Sequence, residues 1–145
     1  MQSLVQSTWF TFTAMMHPGL YIAATGTKGR GMFCREALPA DTIIEQAPVI
    51  VMAATDREHL DRTLLHDYIF EWTPEGEEKK CIMALGNVPI YNHSYASNCE
   101  YFMDYEAETI MIKTVRDIAA GEELTINYNG DWDDETKVWF EVKEE

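Results

Sequence analysis

The 145-residue chain has little cysteine, little basic charge and no long apolar run. Its three cysteines, Cys34, Cys81 and Cys99, form no CxxC pair and no zinc-type spacing. They are too few and too scattered for a disulfide framework, and a reducing compartment suits them. Lys and Arg number 11 against 25 Asp and Glu, a net charge of −14. So acidic a surface repels phosphate backbones, so direct nucleic-acid binding is not expected. Its excess carboxylates suit cationic, lysine-rich partners, or serve solubility alone. No Asp, Glu, Lys or Arg occurs in the first 27 residues. That stretch lacks the basic start of a secretory signal, and Ser, Gln and Thr interrupt its apolar pairs. No segment approaches membrane-spanning length. These absences point away from a membrane and towards the cytoplasm. Residues 1–19 are expected to form an N-terminal extension or an early strand, and Met15 or Met16 could serve as an alternative start.

What remains is rich in β-formers. LYIAAT (20–25) reads as a strand, TGTKGRG (25–31) as a glycine-punctuated turn, and MFCREAL (32–38) as extended again. TIIEQAPVIVMA (42–53) is β-branched and aliphatic, with Pro48 expected to split or kink it. Leu60, Leu64 and Leu65 predict a short amphipathic helix over 55–66, opened by Thr55 or Asp56. DYIFEW (67–72) reads as a strand, 71–80 as a charged turn, and 100–118 as a hairpin around an acidic turn near Glu106. AAGEELTINYNG (119–130) is a tight turn and a short strand. The tail 134–145 is expected to be acidic and helical, with Trp132, Trp139 and Phe140 partly buried. The pattern is mainly β with short helices, in small packed sheets and not alternating βαβ units.

The segment YNHSYASNCEYF (91–102) concentrates polar and reactive residues. Asn92-His93-Ser94 fits a glycosylation sequon, but no secretory signal accompanies it. His93 and Cys99 make one loose pair with no second pair to complete a metal site, so no metal is expected. A Cys-His nucleophile is formally open, although free cysteines are more often buried small hydrophobes. The GRG turn alone is a weak glycine signal, and Tyr128 alone reads as a strand-end tyrosine.

Taken together and in order, KGRGMF (28–33), YNHSYASNCEY (91–101) and GEELTINY (121–128) resemble the SET domain of protein lysine methyltransferases. The likeness runs from about Gly26 to Asp133, within a domain drawn as 20–133, and is strongest to compact, stand-alone members from bacteria and viruses. It implies a β-clip fold of several small sheets around a C-terminal pseudoknot that threads the NHS and tyrosine segments together. It also implies S-adenosylmethionine as cofactor. Lys28, Gly29, Arg30, Gly31, Asn92 and His93 are then cofactor-binding, with Asn92 near the methionine end and His93 meeting adenine largely through its backbone. Tyr128 matches the catalytic tyrosine, and Asn98 orders the knot. Ser97 stands where the family usually has Pro. The Tyr-x-Gly element of larger members is not visible, and Tyr68 is the candidate for a second active-site hydroxyl. No cysteine-rich zinc segment follows Tyr128. Closure of the lysine channel is therefore assigned to the tail, with Trp132 as first candidate and grouped with the cofactor site, or to a second subunit in a homodimer.

The implied reaction is methyl transfer to a lysine of a basic, histone-like or ribosomal protein. The amine must be neutral, which at pH 7 costs about 4.6 kcal/mol for an unperturbed lysine. A narrow apolar channel lowers that cost, and a carboxylate on its floor would raise it. Acids are therefore expected at the rim only. Three rivals remain: a non-catalytic SET-like acidic module that binds basic partners, transfer to a non-lysine acceptor, and a Cys-His hydrolase. A viral or secreted source would make a host nucleus the destination in place of the cytoplasm.

Overall fold

The computed structural model describes residues 14–140, and its strands fall into two sheets. Ten strands are present: β1 (Met15–Met16), β2 (Leu20–Ala24), β3 (Arg30–Cys34), β4 (Ile43–Met52), β5 (Phe70–Trp72), β6 (Lys80–Ala84), β7 (Asn92–His93), β8 (Cys99–Asp104), β9 (Thr109–Thr114) and β10 (Glu123–Ile126). One sheet has the order β5-β6-β4-β9-β8, with β1 also on β4. The other runs β2-β3-β10-β7. Among the described residues, helix is confined to α1 (Ala54–Leu60) and two 3-10 turns, Leu64–Asp67 and Val88–Ile90. The mainly β architecture of small sheets is thus the observed one.

Between the sheets lies one core, built from Met32, Leu38, Ile44, Ile82, Val88, Ile110, Ile112, Leu124 and Ile126, all nearly or fully buried. The alternation of β9 explains its share: Ile110 and Ile112 point in while Met111 and Lys113 stand at the surface boundary. β4 departs from simple alternation. A register shift between Ile43 and Glu45 lets β4 bury two successive residues, Ile44 and Glu45. This bulge turns a carboxylate into the core.

β4 is one continuous strand, contrary to the predicted break at Pro48. Pro48 instead marks a change of neighbour. Residues up to Pro48 pair with β9, and Val49–Met52 pair with β6. A residue without an N–H is tolerated at such a handover. The 100–118 hairpin is present as β8 and β9, and Asp104 caps its turn by accepting from the N–H groups of Glu106 and Ala107 at 3.1 and 2.9 Å.

Three local expectations need correction. The 55–66 helix is shorter and begins after Ala53, not at Thr55 or Asp56. Asp56 serves the end from inside, accepting from the Ala53 N–H at 3.0 Å. Leu64 and Leu65 are exposed on the following 3-10 turn, so the helical stripe that predicted them is not formed. Only Phe70–Trp72 of 67–72 is strand. Across 134–140 the tail is extended and irregular, not helical, and Trp132, Trp139 and Phe140 are exposed. The rest of the predicted tail and the first thirteen residues lie outside the described part. Of the N-terminal extension, Met15 and Met16 pair with β4.

The contact that organises the second sheet is parallel. β7 pairs with β10, Asn92 beside Thr125 and His93 beside Ile126. Just beyond it, Asn98 is fully engaged inside the protein: its Nδ2 donates to the Glu123 carbonyl at 2.7 Å, and its Oδ1 accepts from the Thr125 N–H at 2.9 Å. Ser97 continues the clasp by donating from N–H and Oγ to the Trp132 carbonyl, both at 3.2 Å. Asn98→Ala strips two backbone groups of β10 of their partners. We expect it to lower the stability of the protein by about 2–4 kcal/mol, read from the midpoint of urea denaturation.

Candidate functional site

The parallel pairing sets Tyr128 at the end of β10, beside the 3-10 turn Val88–Ile90 and its following residue Tyr91. The Tyr128 N–H donates to His93 Nδ1 at 3.0 Å, and its hydroxyl donates to the Tyr91 carbonyl at 2.8 Å. Both ends of the residue are therefore fixed. Burial pushes the phenol well above its ordinary value, and Tyr68, Asp67 and Glu123 add to the shift. Near neutral pH Tyr128 is an un-ionised hydroxyl, able to orient a partner but not to act as a phenolate.

Two clefts meet at this tyrosine. One, of about 490 Å³, is lined by Lys28, Gly29, Arg30, Ile90, Asn92 and Phe140 on its outer side. The other, of about 350 Å³, is lined by Ile69, Phe70 and Tyr101, and by the charged Arg57, Asp61 and Glu71. Asp67, Tyr68, Pro89, Tyr128 and Trp139 border both. Tyr128 and Tyr68 thus stand where the two spaces adjoin.

The first cleft is organised by Glu123, a residue inside the GEEL run that sequence reasoning did not single out. Its Oε1 accepts from Asn92 Nδ2 at 2.8 Å, and its Oε2 lies 3.8 Å from Lys28 Nζ. The same Asn92 amide donates to the Arg30 carbonyl at 3.0 Å, which draws the glycine turn onto β7. At Gly31 a Cβ would fall 2.7 Å from Glu123 Oε1 and 3.0 Å from Asn92 Nδ2, so any side chain there would displace the carboxylate and amide from their present positions. Gly29 has a left-handed φ of 76° and open space where a Cβ would stand. Its backbone borders the cleft without obstruction.

The second cleft carries exposed charge, and one of its carboxylates, Asp67, also reaches the junction near Tyr128, contrary to the expectation of acids at the rim only. Asp61, Asp67 and Glu71 are exposed, and Arg57 bridges two of them, at 3.7 Å from Asp61 and 3.2 Å from Glu71. Deeper in, Phe70 meets Tyr101 edge to face, and Tyr101 is half-buried with its phenol pushed up to about 12 by burial. Among the described residues no group of three or more His, Cys, Asp or Glu is placed to hold a metal ion, and the three cysteines are free and buried.

The sequence-predicted residues distribute unevenly. Lys28, Gly29, Arg30, Asn92, Tyr68 and Tyr128 come together around the first cleft. Gly31 and His93 stand behind it: Gly31 lets the turn approach, and His93 braces Tyr128 with its ring. Trp132 is not brought to either cleft. Its carbonyl serves Ser97 and its indole is exposed elsewhere. The aromatic at the site is Trp139, which lies 6.0 Å from the Tyr128 ring in a stacked arrangement and donates from Nε1 to Asp67 at 3.4 Å. Phe140 lies across the His93 and Tyr128 rings. The tail reaches this position through Asn127, whose Nδ2 donates to the Asp134 carbonyl at 2.7 Å, and through Tyr95, whose hydroxyl accepts from the Val138 N–H at 3.2 Å. Any of three tail aromatics could have been chosen from sequence. The turn at Asp134 that selects among them has no local signature.

Residues 29–129 match the SET domain family model. The chain belongs to the SET-domain family. Over 123 residues this SET protein is 37% identical to the fission-yeast (Schizosaccharomyces pombe) histone-lysine N-methyltransferase described as H3 lysine-37 specific, covering 84% of the chain and 77% of that relative. In structure it is similar to a Plasmodium falciparum protein assigned as a histone methyltransferase, with a TM-score of 0.58 and 25% identity, over 79% of this chain and 96% of the other. By class the SET protein is a protein-lysine methyltransferase. Among its described residues no helix is long and apolar enough to cross a membrane.

Phenols that hold their proton above the ordinary value of about 10 bind it more tightly folded than unfolded. Their contribution is intact below that pH and is lost as the pH rises above it. Between pH 9 and 11 the wild type should lose stability, and Tyr128→Phe should lose less, by about 1.4 kcal/mol for each unit above pH 10. Urea denaturation at stepped pH measures the difference.

Proposed function

We propose that the protein is an S-adenosylmethionine-dependent lysine N-methyltransferase acting on a basic, lysine-rich protein of the histone kind. The single observation that carries this reading is the junction of the two clefts at Tyr128 and Tyr68. A donor held in one cleft and an amine entering by the other would meet there.

The lining of the first cleft suits the cofactor. A methionine end carries both an ammonium and a carboxylate, and Lys28 and Arg30 offer cations for the carboxylate beside a bare glycine backbone, with Glu123 behind them holding Asn92 and Lys28 in place. When bound, S-adenosylmethionine supplies an electrophilic methyl on a cationic sulfur. The role of this chain is alignment and exclusion of water. Trp139 and Phe140 form the outer wall, and Tyr68 and Tyr128 offer hydroxyls at the point of transfer. Because the Tyr128 hydroxyl gives its proton to the Tyr91 carbonyl, its lone pairs are the part left to receive an N–H of the arriving amine. That hydrogen bond orients the amine for attack and does not require Tyr128 to remove the proton.

The arrangement of charge fits the substrate class. Asp61 and Glu71 at the mouth, with the net charge of −14, attract a cationic segment, and Asp67 continues the acidic lining to the junction. Phe70 and Tyr101 further in favour the neutral amine by desolvation. The H3 specificity in the name of the yeast relative supports a histone-like substrate here.

Calorimetric titration with S-adenosylmethionine should give one-to-one binding that Asn92→Ala weakens at least tenfold. Tyr128→Phe should bind the cofactor within about twofold of wild type and lose most of its turnover, roughly a hundredfold, in transfer of labelled methyl to purified histones. Equal turnover by that variant would overturn the role of Tyr128. Failure of the folded wild type to bind the cofactor would overturn the reading as a whole.

A further inference from the structure

Glu45 is a carboxylate that the proposed chemistry does not use. It lies on β4 with 1% of its surface exposed, put there by the bulge at Ile43. Such a group is costly to bury, and among the described residues no ion pair compensates it. Its two oxygens reach the two ends of one short turn. Oε1 accepts from the Asn87 N–H at 2.6 Å, at the start of Val88–Ile90, and Oε2 accepts from the Tyr91 hydroxyl at 3.0 Å, just past its end. At Gly86, whose φ is 67°, a Cβ would stand 2.6 Å from the same Oε1, so the backbone has closed onto the carboxylate.

The turn held in this way is the shared wall of the two clefts. Pro89 borders both, Ile90 borders the first, and the Tyr91 carbonyl takes the proton of the Tyr128 hydroxyl at 2.8 Å. The Tyr91 ring is buried and points away from the clefts to Glu45, while its carbonyl points to Tyr128. Tyr91 therefore links the core to the junction covalently, its hydroxyl bonded to Glu45 at one end and its carbonyl accepting from the Tyr128 hydroxyl at the other.

We propose that Glu45 is a positioning residue for Tyr128: by clamping both ends of the 88–90 turn, it fixes the Tyr91 carbonyl and thereby the direction in which the Tyr128 hydroxyl presents its lone pairs. The inference rests on the role proposed for Tyr128. Gln keeps an acceptor for the Asn87 N–H but turns an N–H donor towards the Tyr91 hydroxyl, which reverses that hydrogen bond and leaves the Tyr91 proton without its acceptor. Loss of the clamp lets the carbonyl drift, and small misplacements of an aligning group are expensive in rate.

The test compares Glu45→Gln and Tyr91→Phe, alone and combined with Tyr128→Phe. Each single variant should bind S-adenosylmethionine within about threefold of wild type and keep the KM for histone, while kcat per cofactor-binding molecule falls roughly tenfold to a hundredfold. In the Tyr128→Phe background neither should lower kcat further, because the hydroxyl they serve is gone. Equal losses in both backgrounds would overturn the inference and leave the role of Tyr128 standing. If Tyr128→Phe itself retains full turnover, the proposed function is at fault instead.

A readout without turnover separates positioning from simple loss of fold. In protein with 13C at tyrosine Cζ, the Tyr128 resonance, identified by its absence in Tyr128→Phe, should shift in Glu45→Gln while that of exposed Tyr105 stays. An unmoved Tyr128 resonance in folded Glu45→Gln would also overturn it.

Discussion

The structure depends on a two-residue parallel pairing. Where β7 lies beside β10, the chain brings Asn92 and His93 alongside Thr125 and Ile126, and nearly every group at the clefts takes its place from that register. Parallel ladders are not made by a hairpin, so both segments must be delivered by other structure. The β8–β9 hairpin between them does so, and Asn98 fastens the arrangement through the backbone on both sides of Leu124. A slip of one residue would turn Ile126 out of the core and send His93 Nδ1 away from Tyr128.

Around that register the protein uses charge in two opposed ways. At the mouth of the second cleft, carboxylates sit in water, where they act through their summed field. Within the fold, Glu45 and Glu123 are structural: Glu45 accepts two hydrogen bonds, Glu123 accepts one and forms an ion pair with Lys28, and each so holds two pieces of chain together. The large excess of acid is therefore not a single property. Most of it makes the surface attractive to cations, while these two members fix a turn and the glycine loop. Burial sets the difference, because an acceptor out of water must be satisfied and will order whatever satisfies it.

The strands, the hairpin and the polar cluster at 91–99 were legible because they are local: β-branched alternation, turn residues, and motifs whose order carries more than their content. Tyr128, Asn92 and the glycine turn follow from those motifs. What escaped notice depends on contacts between distant segments. Pro48 looked like a break because a sequence does not show that a strand can exchange neighbours there. Leu60, Leu64 and Leu65 fit a helical period, yet the chain turns at Asp61 and leaves two of them in solvent. Trp132 and Trp139 are equivalent to any local reading, and only the turn held by Asn127 distinguishes them. Glu45 was readable in part: an acid inside TIIEQAPVIV is an anomaly of pattern, but nothing in the run names Tyr91 as its partner.

The clasp of Ser97 and Asn98 on the C-terminal segment also orders events in time. Between them the two clefts draw residues from the glycine turn, from 57–71, from 89–92, from Tyr101 and from 128–140. Little of that surface can exist while the last segment is still unattached. The first sheet, with its long antiparallel pairs and a hairpin, can assemble from sequence that emerges earlier. The junction at Tyr128 needs closures across much longer loops, which are slow to form. The walls of both clefts are therefore complete only once β10 and the segment that follows it are in place.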